Sequence, residues 1–280
     1  MPAVTLAGRA HITVAGGDAE DFLQGLITCD VVSLPEGEAR TAALLTPQGK
    51  ILFDFLVSRV PSGGFLIETA EEQREALVKR LAIYKLRAAV EISPLAETHT
   101  TITWGSEGEG VVDGRFLKAG QRVLRRPGAG GSDEPAAYDA LRIAHGIVES
   151  GKDFALSDVF PHDILLDLSG GVSFRKGCFV GQEVVSRMQH RGTARRRPVI
   201  LRAAAALPAP GAELTAEGKP VGTLGTVVGQ DGLAIVRIDR VADAMRAGAP
   251  VLAGDVEVEA WLPEWTGLDF PGESAEAPAQ

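Results

Sequence analysis

The sequence predicts an α+β protein of two or three domains that ends in a small β-barrel. Its 280 residues suffice for more than one domain, because single domains usually hold roughly 100–200 residues. Strand-like and helical segments are interspersed between residues 11 and 104, whereas the chain beyond residue 198 consists mostly of short β-runs with glycine-containing turns. Hydrophobic residues make up 45% of the chain, so a large core can form without disulfides.

The first hundred residues predict a mostly antiparallel sheet with two helices. Asp18 is a good N-cap for a short helix that ends at Gly25, and Leu77, Leu81 and Tyr84 share one face of a second helix. Turn residues at 47–49 and 61–64 separate three strands of a meander. The predicted strands are 11–15, 40–46, 50–60, 65–69, 88–93 and 98–104, and the second helix is 71–86.

The second half of the chain predicts one clear helix and then the barrel. Residues 105–135 are glycine-rich and are predicted to be irregular, residues 138–149 a helix, and residues 153–168 an ordered loop. The barrel strands are predicted at 199–202, 213–215, 221–228, 233–238 and 256–262. The tail, residues 266–280, ends in a Pro/Ala/Glu-rich run and is predicted to be disordered.

Charge and cysteine content limit the classes of function. The net charge of −9 argues against bulk electrostatic binding of nucleic acid or anionic membranes. No apolar run approaches the length of a transmembrane helix, and the N-terminus lacks a secretory signal pattern. The two cysteines, Cys29 and Cys178, do not indicate a disulfide framework, so we expect a reducing, cytoplasmic location.

One segment departs from the acidic background. Residues 175–197 hold seven basic residues and one acidic residue, a net charge of +6 that leaves −15 for the remainder. Cys178 lies just before a helix predicted to begin after Gly181, beside Arg175 and Lys176, a setting that favours a thiolate. The spacing leaves two alternatives open. Cys178 is a small buried residue in a tight turn, or the arginines form only a solvated surface.

The motif around Cys178 resembles a known family. Lys176-Gly177-Cys178-Phe179-Val180-Gly181-Gln182-Glu183, with Arg187 four residues on, is similar to the K-G-C-[FY]-x-G-Q-E-x-x-x-R signature of the YgfZ family. These are folate-binding proteins, similar to the glycine-cleavage T-protein, that are linked to iron–sulfur cluster assembly and repair. Residues 16–31 and 46–54 resemble two further blocks of that family, and 141–146 lies where the family has a helix lining its folate cavity.

The resemblance implies a T-protein-like, aminomethyltransferase fold. It implies a discontinuous folate-binding domain of residues 1–45 with 135–197, an inserted ferredoxin-like domain of residues 46–134, and a C-terminal β-barrel of residues 198–265. The implied function is an accessory protein that binds tetrahydrofolate and supports assembly or repair of iron–sulfur clusters in client enzymes, including tRNA-modifying ones. The implied partners are iron–sulfur assembly proteins or those clients.

The resemblance also assigns candidate site residues. Cys178 is the candidate reactive thiol and Asp54 a candidate catalytic carboxylate. The motif residues are Lys176, Gly177, Gly181, Gln182, Glu183 and Arg187, and the folate contacts are Lys50, Asp54, Tyr138 and Arg142. Asp54 interrupts an apolar run, so its side chain lies either on the solvent-exposed face of an edge strand or in the cavity beside Lys50 or Arg142.

A folate-dependent aminomethyltransferase of the T-protein type is the alternative function. Two departures weaken it, because Phe55 stands where T-proteins have a second Asp, and Ala144 stands where they have a Glu that could bind the pterin. The five histidines and two cysteines show no metal-ligand spacing, so no metal site is predicted. Direct RNA binding through the basic run is disfavoured, because the run lacks interleaved aromatic residues.

Overall fold

The computed structural model describes residues 2–105 and 107–272, which divide into two compact units. Unit 1 comprises Met1–Tyr138, Leu156–Pro161 and Leu166–His190. Unit 2 comprises Asp139–Ala155, His162–Leu165 and the chain from Arg191 onward. Within the described residues, no helix is long and apolar enough to cross a membrane.

Nine strands of unit 1 form one sheet in the order β1-β7-β9-β8-β3-β4-β5-β2-β6. They are β1 (Ala3–Ala7), β2 (Arg9–Ala15), β3 (Glu38–Leu45), β4 (Ile51–Arg59), β5 (Phe65–Ala70), β6 (Glu91–Pro94), β7 (His99–Trp104), β8 (Val111–Asp113) and β9 (Val123–Pro127). Neighbours pair antiparallel, except that β3 and β8 are parallel. The antiparallel sheet predicted from the meander is therefore present.

The sheet corrects the boundary predicted at residue 45/46. The strands β3 and β4 form a hairpin that pairs Ala39 with Ser58 at one end and Leu45 with Ile51 at the other. A boundary there would cut this ladder, so residues 46–134 are not a separate inserted sheet. The region 105–135 is also more regular than predicted, because it holds β8, the helix α3 (Gly114–Lys118) and β9.

One face of the sheet packs on two helices, α1 (Ala19–Gln24) and α2 (Arg74–Lys85). Alternate residues of the strands point to this side, as the period-2 pattern of β4 predicts. The buried cluster includes Ile12, Leu23, Phe53, Phe55, Val57, Ile67, Leu77 and Leu81. This apolar layer fixes β3 and β4, which the turn at residues 46–50 connects.

Unit 1 also contains a buried network of charged side chains. Arg125, 1% exposed, donates from Nε to Glu68 Oε2 at 2.9 Å and from Nη1 to Asp113 Oδ2 at 3.2 Å. The Tyr138 hydroxyl lies 3.1 Å from Arg125 Nη1, and Arg9 Nε donates to Glu68 Oε1 at 2.9 Å. Arg125 and Arg9 outweigh the cost of burial and hold the pKa of Glu68 far below its ordinary value.

Unit 2 contains a closed six-stranded barrel in the order β10-β13-β12-β11-β14-β15. The strands are β10 (Arg196–Ala203), β11 (Glu213–Ala216), β12 (Lys219–Val228), β13 (Asp231–Arg237), β14 (Val251–Ala253) and β15 (Val256–Trp261). The β15 strand pairs back with β10 from Ile200–Trp261 to Ala203–Val258, which removes the exposed edges. The predicted C-terminal β-barrel is confirmed.

A helix that the turn pattern did not predict packs on this barrel core. It is α6 (Ile238–Arg246), whose Val241 and Ala242 are buried with the barrel interior. The start of the predicted disordered tail is also ordered, since Glu264–Thr266 is a 3-10 turn and Phe270, 5% exposed, joins the same core. The prediction for residues 273–280 lies outside the described residues.

Candidate functional site

The motif segment forms a loop followed by a helix, as its sequence predicts. The helix α5 (Gln182–Arg191) begins directly after Gly181 and carries Glu183 in its first turn. The Gln182 side chain folds back over this start, because its Oε1 accepts a hydrogen bond from the backbone N–H of Phe179 at 3.3 Å. Cys178 thus lies in the loop four residues before the helix.

Gly181 packs this loop against the β3–β4 turn. Its φ of +77° lies in the left-handed region, and a Cβ added there would come within 2.5 Å of the Thr46 carbonyl oxygen. The contact is reciprocal, because a Cβ on Gly49, which has a φ of +81°, would lie 2.9 Å from Val184 Cβ. Gly49 and Gly181, which are 132 residues apart in sequence, therefore lie at one close approach of the backbone.

Replacement of Gly181 by Ala is expected to destabilise the protein by about 1–3 kcal/mol, because it forces a left-handed residue against a carbonyl. Gly177→Ala is the matched control, since an added Cβ meets nothing within 4 Å and its backbone lies outside the left-handed region. We expect the control to change stability by less than about 0.5 kcal/mol. Urea unfolding measures both variants, and equal losses would contradict this role for Gly181.

The two cysteines have opposite environments. Cys178 is exposed and Cys29 fully buried, and both are free. The interpretation of Cys178 as a small buried residue is therefore wrong. Burial raises the pKa of the other thiol, that of Cys29, to about 12. The chain thus presents one accessible thiol and holds the other inert in its core.

Lys176 anchors the loop rather than serving as a free surface cation. Its Nζ donates to the carbonyl oxygens of Ile27 and Cys29, each at 2.6 Å, and lies 5.4 Å from the centre of the Phe179 ring. Partial burial lowers the pKa of Lys176 to about 8. The basic run is tied down at its other end too, since Arg197 is buried and donates to the His162 carbonyl at 2.6 Å.

Other motif side chains stay at the surface. Glu183 and Arg187 form an exposed ion pair of 2.6 Å one helical turn apart. This pair contributes little to stability, because exposed pairs are screened by water. A functional role for either residue as part of the family motif stays a prediction.

Asp54 lies on an interior strand, because β4 pairs with both β3 and β5. Its placement on an edge strand is therefore wrong. The half-buried carboxylate accepts a hydrogen bond from Gln73 Nε2 at 3.4 Å. Lys50, predicted as its neighbour, instead donates to the Asp158 carbonyl at 3.0 Å.

Tyr138 and Arg142, the other two predicted folate contacts, lie in buried hydrogen-bond networks. Both side chains are fully buried on the helix α4 (Pro135–His145). The Tyr138 hydroxyl belongs to the charged network of unit 1. Arg142 donates to Asp153 Oδ2 at 2.7 Å, to Thr226 Oγ1 at 2.6 Å and to the Ile147 carbonyl at 3.0 Å within unit 2. Both side chains therefore bind other protein groups, and a folate contact by either of them stays a prediction.

The residues that support the motif loop from below were not predicted as site residues. Thr28 Oγ1 donates to the Gly171 carbonyl at 2.6 Å and accepts from the backbone N–H of Ala43 at 2.9 Å. The backbone N–H of Ser173 donates to the Thr28 carbonyl at 2.9 Å. The available signal was the polar run Thr28-Cys29-Asp30 following the apolar residues Leu26 and Ile27.

In the part of the chain that the structure describes, no group of three or more His, Cys, Asp or Glu side chains could hold a metal ion. Any metal bound at Cys178 therefore needs ligands from elsewhere, because one thiolate does not complete a coordination sphere.

Two domain families match the chain. Residues 6–112 match the GCVT N-terminal domain and residues 195–268 match the CAF17 C-terminal β-barrel domain. The second match coincides with the closed barrel. A solved structure, the glycine cleavage system aminomethyltransferase T from Bartonella henselae, aligns with a TM-score of 0.71 over 94% of this chain and 85% of that chain at 19% identity.

Several relatives of the chain are named as iron–sulfur cluster assembly factors. The iron–sulfur cluster assembly factor IBA57 homolog, mitochondrial, of Coccidioides immitis is 29% identical over 94% of this chain and 82% of its own. The human mitochondrial IBA57 is 29% identical over 93% and 84% respectively. The Chaetomium globosum homolog is 32% identical over 69% of this chain and 54% of its own. The chain therefore combines a GCVT N-terminal domain with a CAF17 C-terminal β-barrel in an aminomethyltransferase-like fold, and most of its length is similar to iron–sulfur cluster assembly factors.

Proposed function

We propose that this protein supports the assembly or repair of iron–sulfur clusters in client enzymes, with Cys178 as its working thiol. The exposure of Cys178 is the observation that carries the proposal. The loop around it is held by Lys176 on one side and by Gly181 on the other, so the thiol has a fixed place on the surface. The similarity to proteins named iron–sulfur cluster assembly factors supports the same role.

The cluster is cargo in this proposal rather than a resident group. Cys178 supplies one thiolate, and its thiol proton passes to solvent when sulfur binds iron. The remaining ligands come from a partner protein, because iron–sulfur clusters are usually held by four thiolates and the described residues offer no second accessible cysteine. The protein would therefore act at an interface with an assembly factor or a client.

Replacement of Cys178 by Ser is expected to abolish rescue of a bacterial strain that lacks its own family member, to the level of an empty vector. A hydroxyl fills the same space but does not replace a thiolate as an iron ligand. Cys29→Ala is the control, since that thiol is buried, and we expect it to rescue. The activity of iron–sulfur enzymes in lysates is the readout, and full rescue by Cys178→Ser, expressed at the wild-type level, would exclude the thiol role.

Tetrahydrofolate binding is the second part of the proposal, and its support is the fold. Of the four residues assigned to it, Tyr138 and Arg142 do not fit, because protein groups already bind their buried polar atoms. Lys50 and Asp54 fit better, because Lys50 is partly exposed and Asp54 is half-buried with one hydrogen bond from Gln73. These two would orient the ligand by hydrogen bonds and charge.

Titration calorimetry with tetrahydrofolate under anaerobic conditions tests this part. We expect saturable binding near 1:1, weakened about tenfold or more by Asp54→Asn through the loss of a charged hydrogen-bond acceptor. Glu72→Gln on the exposed surface is the control for net charge. No binding to folded protein would remove folate from the proposal and leave the role of Cys178 unaffected.

A further inference from the structure

A pocket beside the motif loop is lined by none of the residues to which the proposed function assigns a role. It has a volume of about 560 Å³ and lies within unit 1, between the 30–33 turn, the helix α3 and the segment 169–175. Pockets for small molecules usually measure roughly 300–1,000 Å³, so this one has a suitable size. The pocket adjoins the loop that carries Cys178. Ser173, which lines the pocket, accepts a hydrogen bond at its Oγ from the backbone N–H of Lys176 at 3.2 Å.

The acidic side chains of the pocket, Asp30 and Glu38, already accept hydrogen bonds from protein groups. Asp30 Oδ1 accepts hydrogen bonds from Gln24 Nε2 at 2.9 Å and from the backbone N–H of Val32 at 3.1 Å. Glu38 Oε1 accepts from Arg40 Nε at 3.3 Å. Arg40 in turn donates to the Asp30 carbonyl at 2.8 Å, so these groups bind one another.

Two basic side chains of the pocket have no such partner. Lys118 and Arg175 are exposed, and neither side chain forms an ion pair or hydrogen bond with any described residue. Apolar surface lies beside them, from Val172 and from Leu117, which is 49% exposed. The pocket thus combines two available cations with an apolar wall on a chain whose net charge is −9.

We propose that this pocket binds a small organic anion whose carboxylates pair with Lys118 and Arg175 and whose carbon skeleton lies on Leu117 and Val172. Charge-assisted hydrogen bonds to carboxylates are among the stronger polar contacts, and Arg binds carboxylates in a bidentate manner. Both a free polycarboxylate and the γ-glutamyl chain of a folate have this chemistry. The site is independent of the thiol role of Cys178.

Titration calorimetry at constant ionic strength tests the pocket with two probes, citrate and p-aminobenzoyl-γ-triglutamate. We expect saturable binding near 1:1 of at least one probe, and the tighter probe identifies the source of the anion. The Lys118→Gln/Arg175→Gln double variant is expected to bind at least about tenfold more weakly, since it loses both charged partners.

Arg80→Gln/Arg87→Gln is the matched control, because it removes two exposed cations of unit 1 that do not line the pocket and that form no ion pair with any described residue. A second pair keeps the basic residues, with Leu117→Glu placing an acid in the pocket and Ile83→Glu placing one on exposed surface elsewhere. We expect only the pocket variants to lose affinity. The proposal is overturned if folded wild-type protein binds neither probe, if the pocket variants bind as tightly as wild type, or if pocket and control variants lose affinity equally.

Discussion

Replacing Arg142 by Met is expected to lower the free energy of unfolding by about 3–5 kcal/mol. The guanidinium is fully buried and binds Asp153, which is itself 0% exposed at its side chain. Met fills much of the same volume but leaves the Asp153 carboxylate without its cation. Breaking a buried ion pair from one side is costly for this reason, whereas replacing both partners by apolar residues need not be.

The carboxylate of Asp153 is held so tightly that it cannot move to water when Arg142 is replaced, so the cost of its unpaired charge remains. Asp153 Oδ1 also accepts from the backbone N–H and the hydroxyl of Thr226, both at 2.7 Å, at an irregularity of the β12 ladder. A Cβ on Gly225 would come within 2.5 Å of the same oxygen, so the barrel backbone closes tightly over the carboxylate. Arg142, Asp153 and Thr226 thereby fasten the 139–155 segment to the barrel within unit 2.

Lys152→Gln provides the matched control for Arg142→Met. Lys152 pairs with Asp139 Oδ1 at 2.8 Å, an atom that Arg142 also contacts, but its side chain is 45% exposed. We expect a loss below about 1 kcal/mol, because water screens the pair. Chemical denaturation of both variants distinguishes the cases. Similar small losses would contradict the structural role of Arg142 and reopen its assignment to a ligand.

Local patterns predicted the elements better than they predicted the roles of single residues. The alternation of Ile51, Phe53 and Phe55 identifies β4, and the glycine before Gln182 marks the start of α5, because both signals lie within a few residues. The exposure of Cys178 and the burial of Arg142 depend on distant partners. Nothing near Arg142 in sequence shows that Thr226, 84 residues on, supplies a hydroxyl to it.

The missed elements have a related cause. The segment 105–135 has too many glycines and too little periodicity to indicate β8 or β9, which form because the rest of the sheet provides a template for pairing. The boundary at residue 45/46 came from the family resemblance. A turn such as 46–50 does not reveal from sequence whether its flanking strands pair with each other, and here they do from Ala39 to Leu45 of β3.

Replacement of Glu68 by Gln is expected to destabilise unit 1 by about 3–5 kcal/mol at pH 7, because it removes the principal counterion of Arg125 while preserving shape. Arg125 is 1% exposed and would keep only Asp113 as a charged partner. Glu75→Gln is the control, since that carboxylate is 82% exposed in its ion pair with Lys79, and we expect less than about 1 kcal/mol.

The pH dependence of stability separates this ion pair from simple packing. Arg125 and Arg9 outweigh burial and hold the pKa of Glu68 below its unfolded-state value of about 4.3, so the unfolded chain takes up the proton first on acidification. The stabilisation is therefore complete above about pH 4.3 and is lost as the pH falls further. Glu68→Gln is expected to flatten the loss of stability below this pH. A slope in Glu68→Gln as steep as in the wild type would show that other carboxylates govern the acid transition, because Gln has no proton to take up in this range.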